Sequence, residues 1–271
     1  MMLSRTNRHP FSNQKERHST MNDLEKYFTE NKGRLISKWK HYFEIYDNHF
    51  SRFRGTDVHV VELGVYQGGS LQMWKNYFGP NAKIFGVDIN PLCKQFEEDQ
   101  IKIFTGDQED RKFLKGLAEQ IPRIDILIDD GGHTMNQQIN TFEELFFHIG
   151  PNGVYLCEDL HTSYWPEWGG GYKDSGTYIE YSKRFIDQIH AWHSRQTDKL
   201  NVTDFTRSVH SLHYYDSILV IERKPIEKPF DMQTGTREIS DYCQPQIPAK
   251  SSSNGLKSRI KRTIDLLTRR S

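Results

Sequence analysis

One stretch near residue 60 constrains the fold of this chain more than any other. The apolar run Val60–Val61 leads through an acidic residue into a glycine-rich turn, and a helix-like segment, 70–78, follows at once. Strand, glycine turn and helix N-terminus in that order let a backbone approach a nucleotide-like ligand closely. The pattern differs from the dinucleotide fingerprint Gly-x-Gly-x-x-Gly because Tyr66 replaces its second glycine. We expect a ligand-binding turn made by Glu62, Gly64, Tyr66, Gly68, Gly69 and Ser70.

The region from 58 to 193 alternates between two kinds of segment. Short apolar runs predict strands near 58–63, 83–88, 101–105, 124–129 and 153–158. Amphipathic segments predict helices near 70–78, 109–120, 136–148 and 178–193. This alternation indicates right-handed βαβ units and therefore an α/β fold, with a mostly parallel sheet and helices on both faces.

The end of this region breaks the alternation. Two strand-like segments, 204–215 and 217–222, follow each other without a helix between them. They predict a terminal antiparallel hairpin, which completes a seven-stranded sheet. A dinucleotide dehydrogenase would instead continue with βαβ units.

Length and composition limit the classes of protein. The 271 residues suit one domain with extensions, and the formal net charge of zero gives no electrostatic sign of nucleic-acid binding. Three cysteines, Cys93, Cys157 and Cys243, form no Cys-x-x-Cys pair, so we expect reduced thiols in a cytoplasmic protein.

The N-terminal part divides into two pieces. Residues 1–20 are polar and basic without an apolar core, so we interpret them as a disordered lead rather than a secretory signal. Residues 21–57 predict a helical extension, with a first helix capped by Asn22 or Asp23 and a second helix after Gly33. Aromatic residues at helical spacing in the second helix indicate a face packed on the core, or alternatively a cover for an acceptor pocket or a partner: Trp39, Tyr42, Phe43, Tyr46, Phe50 and Phe53.

The C-terminal part also divides into two pieces, beyond a catalytic domain predicted over 58–224. Residues 225–254 are rich in Pro, Gln and Ser and predict a linker. Residues 255–271 predict a basic amphipathic helix, which can lie on the inner face of an anionic membrane. A solvated tail is the alternative.

Acidic residues follow three consecutive predicted strands. Asp88 ends the second strand, where an acid can accept hydrogen bonds from ribose hydroxyls, and Asp107–Gln108 follows the third strand, where contacts to a base edge are expected. Because ligands of open α/β sheets bind at the carboxyl ends of strands, these residues and Glu62 predict a nucleoside site. Each acid alone is a common surface or capping residue.

A second group of acids follows the fourth and fifth strands. Asp130, Glu158 and Asp159 would place three carboxylates at neighbouring strand ends, where they repel each other unless a cation lies between them. All-oxygen ligation suits Mg²⁺, and His133 lies close enough in sequence to remove a proton from a hydroxyl acidified by the metal. Asp129 is assigned to the cofactor side. The alternative is an ordinary Asp-Asp-Gly turn with a loop histidine.

The loop 161–172 combines aromatic residues with three consecutive glycines. It predicts a lid that stacks on a sugar or macrocycle ring, and an ordinary surface loop is the alternative.

Together these motifs resemble those of a known family. Residues 58–223 resemble the metal-dependent S-adenosylmethionine (SAM) O-methyltransferases that act on macrolide deoxysugars, and also the family named after cephalosporin hydroxylase. The motifs are Glu62-Leu-Gly-Val-Tyr-Gln-Gly-Gly-Ser70, Gly86-Val-Asp-Ile89, Gly106-Asp-Gln108, Ile128-Asp-Asp-Gly-Gly-His133 and Glu158-Asp-Leu-His-Thr-Ser-Tyr-Trp165. Residues 1–57 are too short for the larger N-terminal domain of the macrolide enzymes.

The resemblance implies a Rossmann-like class I methyltransferase fold and Mg²⁺-assisted methyl transfer from SAM to a sugar hydroxyl. It implies Asp130, Glu158 and Asp159 as metal ligands and His133 as the general base. The acceptor would be a small molecule or glycan, and a homo-oligomer is a further expectation. Two alternatives remain: different chemistry on the same fold, as in a cephalosporin-hydroxylase-like protein, and a non-catalytic protein of glycan assembly.

Overall fold

The computed structural model describes residues 21–239. The predicted lead, the basic tail, Cys243 and most of the predicted linker lie outside these residues. Every helix and strand lies in a unit that ends at Pro229, and the described residues of the second unit, 230–239, contain neither. The domain boundaries given above remain predictions.

A seven-stranded sheet forms the centre of the first unit. Its strands are β1 (His59–Leu63), β2 (Lys83–Asp88), β3 (Ile101–Thr105), β4 (Ile124–Asp129), β5 (Ile149–Cys157), β6 (Val209–Tyr215) and β7 (Ile218–Arg223). Their order is β3-β2-β1-β4-β5-β7-β6, and β1 to β5 pair in parallel. β7 runs antiparallel to both of its neighbours, β5 and β6, and so points opposite to the other six strands of this sheet. The order reverses beside β1, where open sheets bind ligands.

Seven α-helices accompany the sheet in residues 21–239. They are α1 (Asp23–Glu30), α2 (Tyr42–Phe50), α3 (Gly69–Phe78), α4 (Arg111–Gln120), α5 (Met135–Leu145), α6 (Tyr178–Ile189) and α7 (Asp204–Ser208). Successive strand residues point to opposite faces, so Val60 packs in one core with α1 to α3 and Val61 in another with α4 to α6. The predicted α/β class, terminal hairpin and helices on both faces are confirmed.

Residues 204–208 differ from the prediction. The first predicted hairpin strand was expected to begin at Asp204, but this stretch forms α7 and the strand begins at Val209. The side chain of Thr203 accepts from the backbone N–H of Thr206, and the side chain of Thr206 accepts from the N–H of Thr203. This capping box stabilises a helical turn over the local strand preference.

The predicted second helix also begins later than expected. Residues 33–39 form no helix, and α2 starts at Tyr42. Asn31 binds this stretch through side-chain hydrogen bonds to the backbone of Gly33 and Arg34, at 2.8 Å each. Trp39 therefore lies outside the helix and is exposed, whereas the aromatic residues of α2 pack in the core as predicted.

Cys93 and Cys157 are free and buried, as expected for reduced thiols. Among residues 21–239, no helix has the length and apolar character needed to cross a membrane.

Candidate active site

A cavity of about 570 Å³ opens at the carboxyl ends of the parallel strands. Eight of the predicted site residues line it: Gly64, Tyr66, Asp88, Asp107, Gln108, Asp130, His133 and Asp159. Six others do not: Glu62, Gly68, Gly69, Ser70, Asp129 and Glu158. The structure thus brings the ends of all five parallel strands to one cavity.

Gly64 lies where the turn after β1 contacts the turn after β4. Its φ of +95° lies in the region that favours glycine, and a Cβ at this position would lie 1.9 Å from the carbonyl oxygen of Asp130. The turn after β1 and the turn after β4 therefore approach each other at a distance that only glycine permits.

The Asp88 carboxylate holds the glycine turn. Oδ2 accepts from the backbone N–H groups of Val65 and Tyr66 at 2.9 and 3.0 Å, and Oδ1 accepts from Asn90 N at 2.8 Å. Asp107 Oδ1 similarly accepts from Glu109 N at 2.8 Å. Both acids face the cavity while they fix their own loops.

Glu62 is fully buried behind the turn. Ser70 Oγ and Trp74 Nε1 donate to its two carboxylate oxygens at 2.7 and 3.1 Å. This places the Glu62 carboxylate at the base of α3, where it connects β1 to that helix.

Gly69 gives room to the N-terminal segment. A Cβ at Gly69 would lie 2.5 and 2.3 Å from the carbonyl oxygens of Arg34 and Leu35. The absence of a side chain there lets residues 34–36 cross the start of α3.

Asp129 belongs to a buried polar network under the cavity. Gln108 Nε2 donates to Asp129 Oδ1 at 2.7 Å, and Gln108 Oε1 accepts from Gly132 N at 3.0 Å. Burial raises the pKa of Asp129 to about 7. Gln108 therefore connects β3 to the loop after β4.

Two acids of the second group, Asp130 and Asp159, lie together with His133 at the cavity wall. Atoms of Asp130, His133 and Asp159 all lie within 4.8 Å of one another. His133 Nε2 lies 3.4 Å from Asp159 Oδ2 and 3.9 Å from Asp130 Oδ1, while its buried Nδ1 has no hydrogen-bond partner among residues 21–239. The two carboxylates of this group offer the oxygen ligands that Mg²⁺ prefers, with the His133 imidazole beside them.

Glu158 lies behind this group, where Lys38 contacts it. Lys38 Nζ lies 3.0 Å from both oxygens of Glu158, and it also donates to Asp130 Oδ2. Burial alone lowers the pKa of Lys38, but the surrounding carboxylates raise it well above its usual value. Burial and the nearby Asp130 raise the pKa of Glu158, which Lys38 opposes. The positively charged ammonium group of Lys38 thus occupies the position where the acids attract a cation.

Two tyrosines of α2 complete the contacts to the acids. Tyr46 Oη donates to Glu158 Oε1 and Tyr42 Oη donates to Asp159 Oδ1, at 2.7 Å each. The helical spacing predicted that these rings pack on the core, and it gave no indication that their hydroxyls reach the acids. Lys38 had no sequence signal at all, because lysine is common in surface segments.

The loop 161–172 lies beside the acids and contributes aromatic rings. The rings of His161 and Trp165 lie 4.5 Å apart, Trp39 packs edge-on to His161 at 5.7 Å, and Trp168 lies 6.1 Å from His133. Thr162 Oγ1 donates to the carbonyl of His133 at 2.9 Å and so joins the loop to the site.

Sequence comparison finds sugar-modifying relatives. A 2'-O-methyltransferase for 8-demethyl-8-α-L-rhamnosyl tetracenomycin-C from Streptomyces olivaceus is 38% identical over 193 residues, 68% of this chain and 50% of the relative. The mycinamicin VI 2''-O-methyltransferase of Micromonospora griseorubida is 35% identical over 209 residues, 73% of this chain and 51% of the relative. The chain thus spans about half the length of these relatives. No protein-family model matches it.

Structural comparison agrees with the sequence comparison. The MycE methyltransferase of the mycinamycin biosynthetic pathway, solved in complex with Mg and SAH, superimposes with a TM-score of 0.68 at 32% identity, covering 76% of this chain and 54% of MycE. The strand order with its terminal antiparallel hairpin agrees with that match. The chain is therefore a homologue of the macrolide and tetracenomycin sugar O-methyltransferases and has the class I SAM methyltransferase fold.

Proposed function

We propose that this protein transfers a methyl group from SAM to a sugar hydroxyl of a glycoside, glycan or natural product, assisted by Mg²⁺. One observation carries the proposal: the group of Asp130, His133 and Asp159 borders the same cavity as the loops after β1, β2 and β3. A donor nucleoside and an acceptor hydroxyl can therefore meet at one edge of the sheet.

The first three strand ends would bind SAM. The turn at Gly64 and Tyr66 would pass beside the methionine part, where the nearby N-terminus of α3 favours its carboxylate. Asp88 would accept from the ribose, and Asp107 with Gln108 would contact the adenine. Glu62, Gly68, Gly69 and Ser70 would act behind the turn, and Asp129 through Gln108, because these five lie away from the cavity lining.

Asp130, Glu158 and Asp159 would hold the metal. Asp130 and Asp159 face the cavity, and Glu158 lies behind them, where the Lys38 ammonium group contacts both Glu158 and Asp130. When bound, Mg²⁺ supplies positive charge that lowers the pKa of the acceptor hydroxyl and orients its oxygen. The Mg complex of the homologous MycE supports a role for Mg²⁺ in this protein.

His133 would act as the general base. It would take the hydroxyl proton while the acceptor oxygen forms a bond to the methyl carbon and the carbon–sulfur bond of SAM breaks, leaving S-adenosylhomocysteine. Asp159, 3.4 Å from His133 Nε2, lies close enough to stabilise the imidazolium charge.

The acceptor would be a sugar on a larger molecule. The named relatives act on sugars of tetracenomycin and mycinamicin, and MycE has also been solved with mycinamycin VI. The exposed rings of Trp39 and Trp165 pack against His161, whose Nδ1 lies 4.0 Å from Asp159 Oδ1, and offer apolar faces to a sugar ring. Homo-oligomerisation, cytoplasmic location and membrane contact through residues 255–271 remain predictions.

The direct test is turnover. Purified protein is incubated with SAM, Mg²⁺ and a panel of deoxysugar glycosides, and S-adenosylhomocysteine and methylated product are measured by mass spectrometry. We expect methylation of at least one glycoside that is lost with EDTA and restored by Mg²⁺. Absence of both turnover and SAM binding would contradict the proposal.

The base is tested by His133→Ala. We expect turnover to fall about 10²- to 10⁴-fold, because the proton then has no positioned acceptor. His148→Ala is the matched control, since His148 is exposed and does not line the cavity. Wild-type turnover in His133→Ala would show that another group accepts the proton.

A further inference from the structure

Lys38 is buried among three acids, of which Glu62 lies in β1 and Asp130 and Glu158 directly follow β4 and β5. Its side chain is 2% exposed, and its ammonium group lies 3.0 Å from Glu158 and 3.5 Å from Glu62 while donating to Asp130. Carboxylates brought this close repel each other, and the ammonium group offsets that repulsion. Lys38 therefore stabilises the arrangement of acids in the absence of any metal.

The backbone around Lys38 is fixed on both sides. Arg34 donates to the carbonyl of Phe96 at 3.0 Å and pairs with Glu98 at 3.2 Å. On the other side, His41 Nε2 lies 3.0 Å from the carbonyl oxygen of Asp216. The close crossing of residues 34–36 over Gly69 adds a third restraint. These restraints fix the backbone that carries Lys38, so its ammonium group is held at the acids.

Lys38 and a divalent ion would need the same oxygen atoms. The two predicted metal ligands that Lys38 contacts, Asp130 and Glu158, would each have to share or exchange that contact when a metal binds. Because the side chains of Lys38 and Glu158 are almost completely buried, a second positive charge beside the Lys38 ammonium group is repelled more strongly than in water. The Lys38 ammonium group therefore opposes metal binding, while the carboxylates favour it.

We propose that Lys38 is a positioning residue with two opposed effects: it holds Asp130 and Glu158 in place before the metal binds, and it lowers the affinity of the site for Mg²⁺ by competing for those carboxylates. This inference rests on the proposed function, because it takes Asp130 and Glu158 as metal ligands. It makes the segment 33–46, outside the predicted catalytic domain, part of the metal site.

The test is Lys38→Met, which keeps the length of the side chain and removes its charge. Mg²⁺ affinity is measured by calorimetry, and Tm with and without Mg²⁺ by thermal unfolding. We expect Lys38→Met to have a lower Tm than wild type without metal, a larger rise in Tm on adding Mg²⁺, and a Mg²⁺ dissociation constant at least about tenfold lower. A variant that folds only in the presence of Mg²⁺ would also support the proposal.

Lys40→Met is the matched control. Lys40 lies two residues away, and its side chain is 88% exposed and pairs with Glu25 at 3.5 Å. The same chemical change there is expected to leave Mg²⁺ affinity and the response of Tm to Mg²⁺ at wild-type values. A tenfold gain in Mg²⁺ affinity in both variants would reveal a general charge effect and overturn the assignment to Lys38.

A second pair of variants covers the case in which Lys38→Met does not fold. Lys38→Met combined with Glu62→Gln removes one buried acid together with the ammonium group, and is compared with Glu62→Gln alone. The double variant is again expected to bind Mg²⁺ at least about tenfold more tightly. Equal or weaker binding would overturn the role of Lys38 while leaving the proposed function intact, provided that wild type binds Mg²⁺. No Mg²⁺ binding by any of these proteins would overturn the proposed metal site itself.

Discussion

The loops after β1 to β3 and the loops after β4 and β5 line the same cavity but are stabilised differently. In the first group, Asp88 binds backbone N–H groups of Val65 and Tyr66, at most 23 positions away. In the second group, the acids bind side chains of the N-terminal segment that lie 92 to 120 positions away. The first group is stabilised by contacts between residues close in sequence, and the second group by contacts between residues far apart in sequence.

This difference corresponds to a difference in charge. Asp88 accepts from neutral backbone groups, which leaves a carboxylate suited to hydroxyl groups of a ligand. Asp130, Glu158 and Asp159 lie close enough to repel each other and to attract a cation. The comparison predicts that damage to the first group weakens binding of the methyl donor, and that damage to the second group weakens the chemical step.

The largest expected effect is that of Asp130→Asn. Loss of a metal-binding carboxylate should reduce turnover about 10³-fold or more at saturating SAM. Asp107→Asn removes the same charge from the first group and should cost at most about tenfold, mainly through SAM affinity. Steady-state rates at varied SAM and Mg²⁺ measure both. Equal losses of turnover in the two variants would contradict the proposed division of roles.

A smaller effect is expected for Asp88→Ala. The glycine turn loses the acceptor of two backbone N–H groups, and the loop after β2 loses that of a third. Because hydrogen bonds to a charged group contribute about 1.5–3 kcal/mol each, SAM binding should weaken by about 10- to 100-fold and Tm should fall. Turnover at saturating SAM should change little. Calorimetry with SAM tests this, with Asp198→Ala at an exposed position as control. Unchanged SAM affinity would exclude a role of this turn in donor binding.

The smallest effect concerns the contacts that hold α2 and the turn after it against β7. Glu222 accepts from Arg52 at 2.5 Å and lies 2.6 Å from His49 Nδ1; burial raises the pKa of Glu222, but these two partners outweigh it and lower the pKa to about 2. Because the folded pKa is depressed, this stabilisation is present above the unfolded value near 4.5 and is lost as pH falls toward 2.

Glu222→Gln should therefore lower Tm by about 2–4 °C at pH 6 and by much less near pH 2. Thermal unfolding over that range measures the difference. Tyr46 of α2 donates to Glu158, a proposed metal ligand. Looser packing of α2 in the variant is therefore expected to lower Mg²⁺ affinity slightly at pH 6. A Tm difference that does not shrink on acidification would exclude the ionised Glu222 as its source.

Much of the fold could be predicted from the sequence because its signals are local. The apolar run before Glu62 and the alternation of apolar and amphipathic segments located all five parallel strands, although β5 begins at Ile149 rather than near 153. Residues 204–208 were predicted wrongly because a capping box outweighed a weak strand preference. The stretch after Gly33 was predicted as a helix, but its backbone is held by Asn31 and by the crossing over Gly69.

The candidate site was less completely predictable. Asp130, His133 and Asp159 follow their strands directly, and parallel strands bring such residues to one edge, so their proximity was expected. The partners of these acids were not, because the stretch that carries Lys38 and the helix α2, which carries Tyr42 and Tyr46, contact them only through tertiary packing.

The sequence by itself determined the α/β architecture, the glycine turn and the acids at the strand ends, because strand periodicity and the direction of parallel strands require no distant contact. Only the tertiary structure decided what surrounds those acids. It placed the ammonium group of Lys38 between Asp130 and Glu158, since a buried charge finds its partner through packing and not through spacing along the chain. The glycine turn could be identified from the sequence, whereas the position of the Lys38 ammonium group among the acids could be seen only in the fold.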